Sequence, residues 1–198
     1  MLLARLRSAP PGVLGQAQTA AGRDAVLALV AVLKTLGTVK KDLDRSTTAQ
    51  LAAHPDGHIF TSLPRSGQVN AAQILAEWGD ARDAYDGPDS IAAFAGVAPV
   101  TKASGRMHNV AYRWACNKRF RQALTGFADR SRHSSPWAAG IYQRARARGM
   151  DHPHAVRVLA RAWVRVIYRC WLDGVPYDPT KHGAAAAQTK QAITSSAA

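Results

Sequence analysis

The sequence predicts a mainly α-helical protein. Alanine is abundant inside the periodic segments, while glycine and proline are concentrated at their ends, a distribution that helices favour. The clearest helical signal covers residues 153–171, where apolar side chains recur on one face. With 198 residues, 47% of them hydrophobic, the chain can bury one core and carry appendages beside it.

Residues 1–23 are predicted to be a flexible leader, and a linker helix follows over residues 24–54. Asp24 suits the N-cap of that helix. Leucines then recur at a seven-residue interval, at Leu29, Leu36 and Leu43. This spacing is typical of a short coiled coil that joins two copies of the chain. Because the repeat decays after two heptads, a helix packed on its own domain is an equal alternative.

Two short helices joined by a Pro/Gly turn are predicted after the break at His54-Pro55-Asp56-Gly57. The turn is Leu63-Pro64-Arg65-Ser66-Gly67, and small residues follow it on the face that must approach the first helix. This spacing suits a helix-hairpin-helix, whose turn would present Gly67 and neighbouring backbone N–H groups to a phosphate. A plain corner between two helices explains the spacing equally well.

Carboxylates recur at every third position in the next segment. They are Glu77, Asp80, Asp83, Asp86 and Asp89. Glycines and a proline interrupt this series, so the five side chains cannot share one helical face, and no metal site is predicted. Helix caps and solvated turns explain them better, with a short helix over residues 88–95.

Three basic helices are predicted at about residues 111–132, 135–148 and 153–171. The core face of the last helix consists of Val156, Leu159, Trp163, Val166, Ile167 and Trp171. Another ridge of the same helix carries Arg157, Arg161, Arg165 and Arg169 at i+4 spacing. Four like charges repel each other in an isolated helix, whereas a phosphate backbone lying along them would neutralise them.

The net charge of +13 comes entirely from the second half of the chain. Residues 1–100 carry nine Lys/Arg and nine Asp/Glu, while residues 101–198 carry seventeen Lys/Arg and four Asp. A surface of this kind attracts polyanions. Nucleic acid is preferred to an anionic membrane, because the apolar stripes of the helices are narrow enough to be ordinary core. The predicted partner is DNA.

The sequence also indicates where the protein resides in the cell and what roles its cysteines and tryptophans have. No apolar run reaches the roughly 20 residues of a membrane-spanning helix, and the N-terminus lacks the pattern of a secretory signal. A cytoplasmic, nucleoid-associated protein with no membrane partner is predicted. The two cysteines show no metal or disulfide spacing, and they and four tryptophans are predicted to be core residues: Cys116, Cys170, Trp114, Trp137, Trp163 and Trp171.

Ser104 lies between Lys102 and Arg106 in a predicted loop at the start of the basic half. A serine hydroxyl is a weak nucleophile at neutral pH and needs a base, a metal or nearby positive charge. The two cations could supply that charge, and His108 is the only local base, although it is more simply a surface residue. From the residues alone Ser104 is more simply a turn residue, since Ser-Gly is common in loops.

Four short motifs occur in a specific order. They are Leu63-Pro64-x-x-Gly67, Leu75-Ala76-Glu77-x-Gly79-Asp80, Ala92-x-x-Ala95-Gly96-x-Ala98-Pro99 and Ser104-Gly105, followed by a basic helix. Together they resemble the C-terminal domain of insertion-sequence transposases of the IS110 type, also called DEDD transposases. The ordered set is far more specific than any single motif. The resemblance predicts such a domain over residues 58–175, followed by a disordered tail over residues 176–198.

The resemblance implies one half of a two-part enzyme. In that family a RuvC-like N-terminal domain supplies acidic residues for a divalent metal, and the C-terminal domain supplies a serine that becomes covalently linked to DNA. A structured non-coding RNA guides the choice of target and donor. The family's serine corresponds to Ser104, and its helical linker, associated with dimer formation, corresponds to residues 24–51. No cofactor is expected on this chain itself, and Mg²⁺ is expected only with a RuvC-like domain.

Two departures from the family pattern shape the functional prediction. Arg65 stands where the family usually has the first glycine of the turn, and no β-rich RuvC-like half precedes the linker helix in the sequence. The chain is therefore predicted to be a truncated transposase that is inactive alone. One hypothesis is a recombinase that acts through Ser104 with metal-binding carboxylates from elsewhere. The alternative is a non-catalytic remnant that binds nucleic acid, and a basic helical structural protein is a remote third.

The predicted nucleic-acid contacts combine the turn, the serine loop and the basic helices. They are Gly67, Lys102, Arg106, Arg113, Lys118, Arg119, Arg121, Arg157, Arg161 and Arg165.

Overall fold

The computed structural model describes residues 2–10, 15–104, 107–111 and 113–181. Within these residues the chain is mainly α-helical, as predicted, with one antiparallel β-hairpin. The helices are α1 (Leu2–Arg7), α2 (Gln16–Ala53), α3 (Gly57–Thr61), α4 (Gln68–Trp78), α5 (Pro88–Phe94), α6 (Lys118–Ser131), α7 (Pro136–Ala147) and α8 (His152–Asp173). The strands are β1 (Val100–Ser104) and β2 (Met107–Ala111), and short 3₁₀ turns occupy Arg82–Ala84 and Pro179–Lys181.

The chain divides into two compact units, Met1–Arg45 and Ser46–Ala198. The first unit holds α1 and most of α2, which begins at Gln16 rather than at the predicted Asp24. The alanine-rich stretch before Asp24 is itself a good helix former, so no cap is needed at that position. The heptad leucines are exposed on α2: Leu29 by 63%, Leu36 by 58% and Leu43 by 63%.

The core of the second unit is built around α8, which packs against α3, α5, α6 and α7. Large aromatic side chains fill it, and the rings of Trp78 and Trp171 meet edge to face at 5.9 Å. The predicted core face of α8 is confirmed, because Val156, Leu159, Trp163, Ile167 and Trp171 are buried and Val166 packs against them.

Side-chain caps fix where the basic helices begin. Asn117 accepts hydrogen bonds from the backbone of Arg119 and Phe120 at the start of α6. Ser135 and Asp151 cap α7 and α8 in the same way. Each cap satisfies backbone donors that the first turn of a helix cannot pair internally.

Residues 100–104 and 107–111 pair as an antiparallel hairpin that was not predicted. The strands are in register from Val100 opposite Ala111 to Ser104 opposite Met107. The prediction that a helix starts near residue 111 is therefore wrong, since α6 begins at Lys118. The sequence signal for the strands was the β-branched residues Val100, Thr101 and Val110.

The two ends of the hairpin are fastened to the helical core. Gly96 has φ +68°, and a Cβ there would lie 2.5 Å from Sγ of Cys116, so only glycine lets the returning chain pack this closely. The backbone N–H of Asn117 donates to the carbonyl of Phe94 at 2.9 Å. The hairpin therefore begins and ends on the junction between α5 and α6.

The two cysteines are only half-buried, so the prediction that both lie in the core is met in part. Cys170 packs against the core, and burial is the main reason that the pKa of its thiol is raised.

The structure describes residues 176–181 of the predicted tail. There Tyr177 packs its ring 5.2 Å from that of Trp163, and its backbone N–H donates to Oγ of Ser62 at 2.8 Å. Burial is the largest of the effects that raise the pKa of the Tyr177 phenol. The rest of the predicted tail lies outside the described residues.

Candidate nucleic-acid interface

The hairpin gives Ser104 a different setting from the predicted loop. Ser104 is the last residue of β1, and Lys102 lies opposite Asn109 in the same ladder. The expectation of an irregular loop is therefore wrong, because backbone pairing extends to the serine itself. Arg106 lies outside the described residues.

A cationic groove runs between α6 and α8. It has a volume of about 610 Å³ and carries the cations Lys118, Arg121 and Arg157. The first turn of α8 contributes His152 and Pro153 to its wall. The structure thus brings together three predicted contacts from two helices that are distant in the sequence. Positive side chains beside a helix N-terminus attract phosphate.

A second, smaller cleft lies at the base of the hairpin. This hairpin-base cleft has a volume of about 120 Å³ and is lined by residues 97–99 from one side and by His154, Arg157 and Arg161 from α8. Arg157 lines both the cationic groove and this cleft. Residues 97–99 lead into β1, so the cationic surface continues to the foot of the strand that ends at Ser104.

Glu77 holds the start of α6 in place. Its carboxylate accepts a hydrogen bond from Nδ2 of Asn117 at 2.5 Å and lies 3.0 Å from Nε of Arg119. The Glu77 side chain is only 13% exposed, whereas that of Arg119 is 81% exposed. The interpretation of Glu77 as a cap or solvated turn residue is therefore wrong. It positions the residue that caps α6 and places Arg119 at the surface.

Asp89 neutralises part of the positive charge of the arginine ridge on α8. Its Oδ1 lies 3.1 Å from Nη2 of Arg161 and 3.5 Å from Nη2 of Arg165. The hydrogen bond from Arg161 is the main cause of a lowered Asp89 pKa. The interpretation of this carboxylate as a cap or turn residue missed its partners, which come from a helix about seventy positions later.

The remaining predicted contacts lie apart from the two clefts. Gly67 is the N-cap of α4, with φ +70°, and lines neither cleft. Arg113 follows β2, and its Nε is buried without a hydrogen bond within the described part of the chain. The next residue, Trp114, is 76% exposed, so its assignment to the core is wrong. It stands in the irregular segment before α6, where helical spacing does not apply.

The described ranges hold no group of three or more His, Cys, Asp or Glu side chains suited to a metal ion. None of the helices in those ranges combines the length and apolar character needed to cross a bilayer.

Residues 57–143 match the sequence model of the IS116/IS110/IS902 transposase family. This part of the chain is an IS110-type transposase domain. The match contains α3, α4, α5, the hairpin, α6 and part of α7. The family assignment predicted from the ordered motifs is thereby confirmed. The arginines of α8 lie beyond the matched residues.

Relatives from insertion elements extend the similarity of the transposase domain. The IS117 mini-circle protein of Streptomyces coelicolor is 32% identical over 145 residues, which cover 73% of this chain and 35% of the relative. The 43.6 kDa IS110 protein of the same organism is 30% identical over 154 residues, covering 77% and 38%. The 42 kDa IS900 protein of Mycobacterium paratuberculosis is 30% identical over 162 residues, covering 81% and 41%. The chain therefore spans well under half the length of these relatives.

Proposed function

We propose that this chain is the DNA-binding part of an enzyme that cleaves and rejoins DNA through Ser104. The observation that supports this most is the position of Arg157, which lines both the cationic groove and the hairpin-base cleft. A duplex whose phosphates occupy the groove would pass the foot of the strand that ends at Ser104. Phosphate contacts of this kind fix position and register without reading bases.

The chemistry proposed for Ser104 is a transesterification at phosphorus. Its Oγ forms a bond to phosphorus while the bond to one bridging oxygen breaks, and the serine proton ends on the released hydroxyl of the DNA. Nearby cations stabilise the negative charge that builds on the phosphate oxygens. The family resemblance assigns the divalent metal to a RuvC-like domain. This chain would therefore contribute the nucleophile and a DNA-binding surface.

Four finer proposals accompany this function. The exposed leucines of α2 support self-association through residues 24–51. The cationic groove would also accept a structured RNA, since its cations would contact backbone phosphates and would not read bases. The turn at Gly67 would act as a helix-hairpin-helix that holds a further phosphate, and association with the nucleoid would follow from DNA binding.

Binding is tested by titrating a fluorescent duplex of about 20 base pairs across a series of salt concentrations. The variant Arg157→Gln/Arg161→Gln/Arg165→Gln should flatten the dependence of log affinity on log salt by about 0.9 for each phosphate that is no longer neutralised. The matched control changes three arginines of α7 and its C-cap, Arg144, Arg146 and Arg148, to glutamine. An equal change of slope in both variants would show that bulk charge, and not the interface, governs binding.

Catalysis is tested separately. With Mg²⁺ alone, the 198-residue chain is expected to leave DNA intact. Adding the RuvC-like half of a full-length relative together with its RNA should give a covalent protein–DNA adduct that Ser104→Ala abolishes. Binding without any adduct under these conditions would favour the alternative, a non-catalytic nucleic-acid-binding remnant. An adduct that persists in Ser104→Ala would remove the serine from the proposed role.

A further inference from the structure

Two arginines of α8 converge on a single carboxylate oxygen. Nη2 of Arg161 and Nη2 of Arg165 lie 3.1 Å and 3.5 Å from the same atom, Oδ1 of Asp89. The Asp89 side chain is 65% exposed, so the three groups meet at the surface. They form a site with two cationic donors and one anionic occupant supplied by the chain itself.

The donors are suited to a phosphate oxygen as well as to a carboxylate. Guanidinium groups bind both kinds of oxyanion through directed N–H donors. The two arginines are one helical turn apart, so they can hold one anionic group jointly. In addition, Nε of Arg161 is buried and makes no hydrogen bond within the described residues, so this guanidinium is not fully paired.

The site adjoins the surface already assigned to DNA. Arg161 also lines the hairpin-base cleft next to Arg157, and Arg157 in turn lines the cationic groove. A nucleic-acid strand leaving the groove along α8 would therefore meet Arg161 and Arg165 next. Asp89 is the carboxylate that pairs with both of these arginines.

We propose that Arg161 and Arg165 form a binding site for a phosphate of the DNA backbone. Asp89 occupies this site in the free chain, and a DNA phosphate displaces its carboxylate. The proposal rests on the DNA-binding function proposed above. Exposed ion pairs contribute little to stability, so the exchange is not opposed by a large loss. Asp89 lies in the first turn of α5, where a carboxylate is favoured even after its release.

Displacement of Asp89 by a phosphate predicts an effect on DNA affinity that the net charge of the chain alone does not predict. Removing Asp89 should strengthen DNA binding by more than removing a neighbouring carboxylate does, because only Asp89 competes for the two arginines. Asp86 is the matched control: it is exposed, lies three residues earlier and carries the same charge. Both Asp89→Asn and Asp86→Asn raise the net charge equally.

The experiment measures duplex affinity and its salt dependence for both variants in the full 198-residue chain. At low salt, Asp89→Asn should bind about three to ten times more tightly than Asp86→Asn because no carboxylate competes for the two arginines, while the salt slopes of the two variants should be similar because both neutralise the same phosphates. In the background Arg161→Gln/Arg165→Gln, Asp89→Asn should bring no gain beyond that of Asp86→Asn. Asp89→Ser, which keeps a short oxygen-bearing side chain in the first turn of α5, guards against a folding defect and should give the same gain.

The outcomes separate this inference from the function on which it rests. Absence of salt-dependent DNA binding by the unmodified chain would overturn the proposed function. Normal binding with equal affinities for Asp89→Asn and Asp86→Asn would overturn the phosphate site alone. A gain that persists without the two arginines would also overturn it, because the effect of Asp89 would then be unspecific.

Discussion

Arg82 and Asp56 form a two-point ion pair that joins three parts of the core. Nη1 and Nη2 of Arg82 donate to Oδ2 and Oδ1 of Asp56 at 2.8 Å and 2.6 Å. The carboxylate, whose side chain is 8% exposed, also accepts from Nε1 of Trp171 at 3.1 Å. The guanidinium lies 4.8 Å from the Trp171 ring centroid. The start of α3, the segment after α4 and the last turns of α8 are thereby held together.

Asp56→Asn should destabilise the fold in a pH-dependent way. The hydrogen bond from Arg82 is the main reason that the pKa of Asp56 lies below its usual 3.8, against the opposing effect of burial. A lowered folded pKa means that the pair stabilises the fold above the unfolded pKa and that this contribution is lost as the pH falls through the folded pKa. At pH 7 the variant should lose about 2–3 kcal/mol of unfolding free energy, discounted because Arg82 is partly exposed.

Chemical denaturation at several pH values checks this prediction. The difference between Asp56→Asn and the unmodified chain should be constant near neutrality and should shrink below about pH 4. Asp83→Asn, beside Arg82 and exposed, is the control for loss of charge. A difference that stays constant at all pH values would contradict the role assigned to ionised Asp56.

Arg65 is the only non-glycine residue with positive φ in the described ranges, at +56°. A left-handed conformation costs a non-glycine residue about 1–2 kcal/mol, and replacement by glycine removes this strain. Glycine also makes the unfolded chain more flexible, which lowers the free energy of unfolding by about 0.5–1 kcal/mol. Arg65→Gly should therefore leave stability unchanged or raise it by up to about 1 kcal/mol. Arg65→Val, which is branched at Cβ, should lower it. Thermal unfolding of both variants decides, and destabilisation by glycine would show that the Arg65 side chain itself supports the turn.

Leu36→Asp should break self-association without unfolding the second unit. Leu36 is 58% exposed on α2, so a charge there disturbs an apolar seam between chains and little else. Thr38→Asp, two residues later and away from the heptad leucines, should keep the oligomer. Light scattering gives the mass in solution, and near-ultraviolet circular dichroism reports the aromatic core. Equal masses for both variants and the unmodified chain would place self-association elsewhere or exclude it.

Trp114→Ala should weaken DNA binding by about 5- to 100-fold if the indole stacks on a base, since one stacked base contributes about 1–3 kcal/mol. The expectation rests on its 76% exposure beside Arg113, between the hairpin and α6. Trp114→Phe should keep most of the affinity. Leu172→Ala, an exposed apolar residue near the end of α8, is the control. Titrations that give Trp114→Ala the affinity of the unmodified chain would rule the stacking out.

The helical part of the fold was predictable because its signals are local. Ser135 and Asp151 announce the starts of α7 and α8, and the apolar spacing of α8 identifies its buried face. The hairpin was missed because its strands are five residues each and lack a strong alternating pattern. Trp114 was misassigned because the helix predicted from about residue 111 begins only at Lys118, so no helical period directs this side chain toward the core.

The sequence by itself determined the family, the helical class and the gathering of positive charge after residue 100. These depend on motif order, local helix propensity and composition, which are properties of the sequence that need no tertiary contacts. The tertiary structure decided which charges meet: Arg157 joins the groove to the hairpin-base cleft, Glu77 fastens the start of α6, and Asp89 occupies the arginines of α8. The pairs of Glu77 and Asp89 join residues tens of positions apart, and the packing of α4 on α6 and of α5 on α8 brings them within hydrogen-bonding distance.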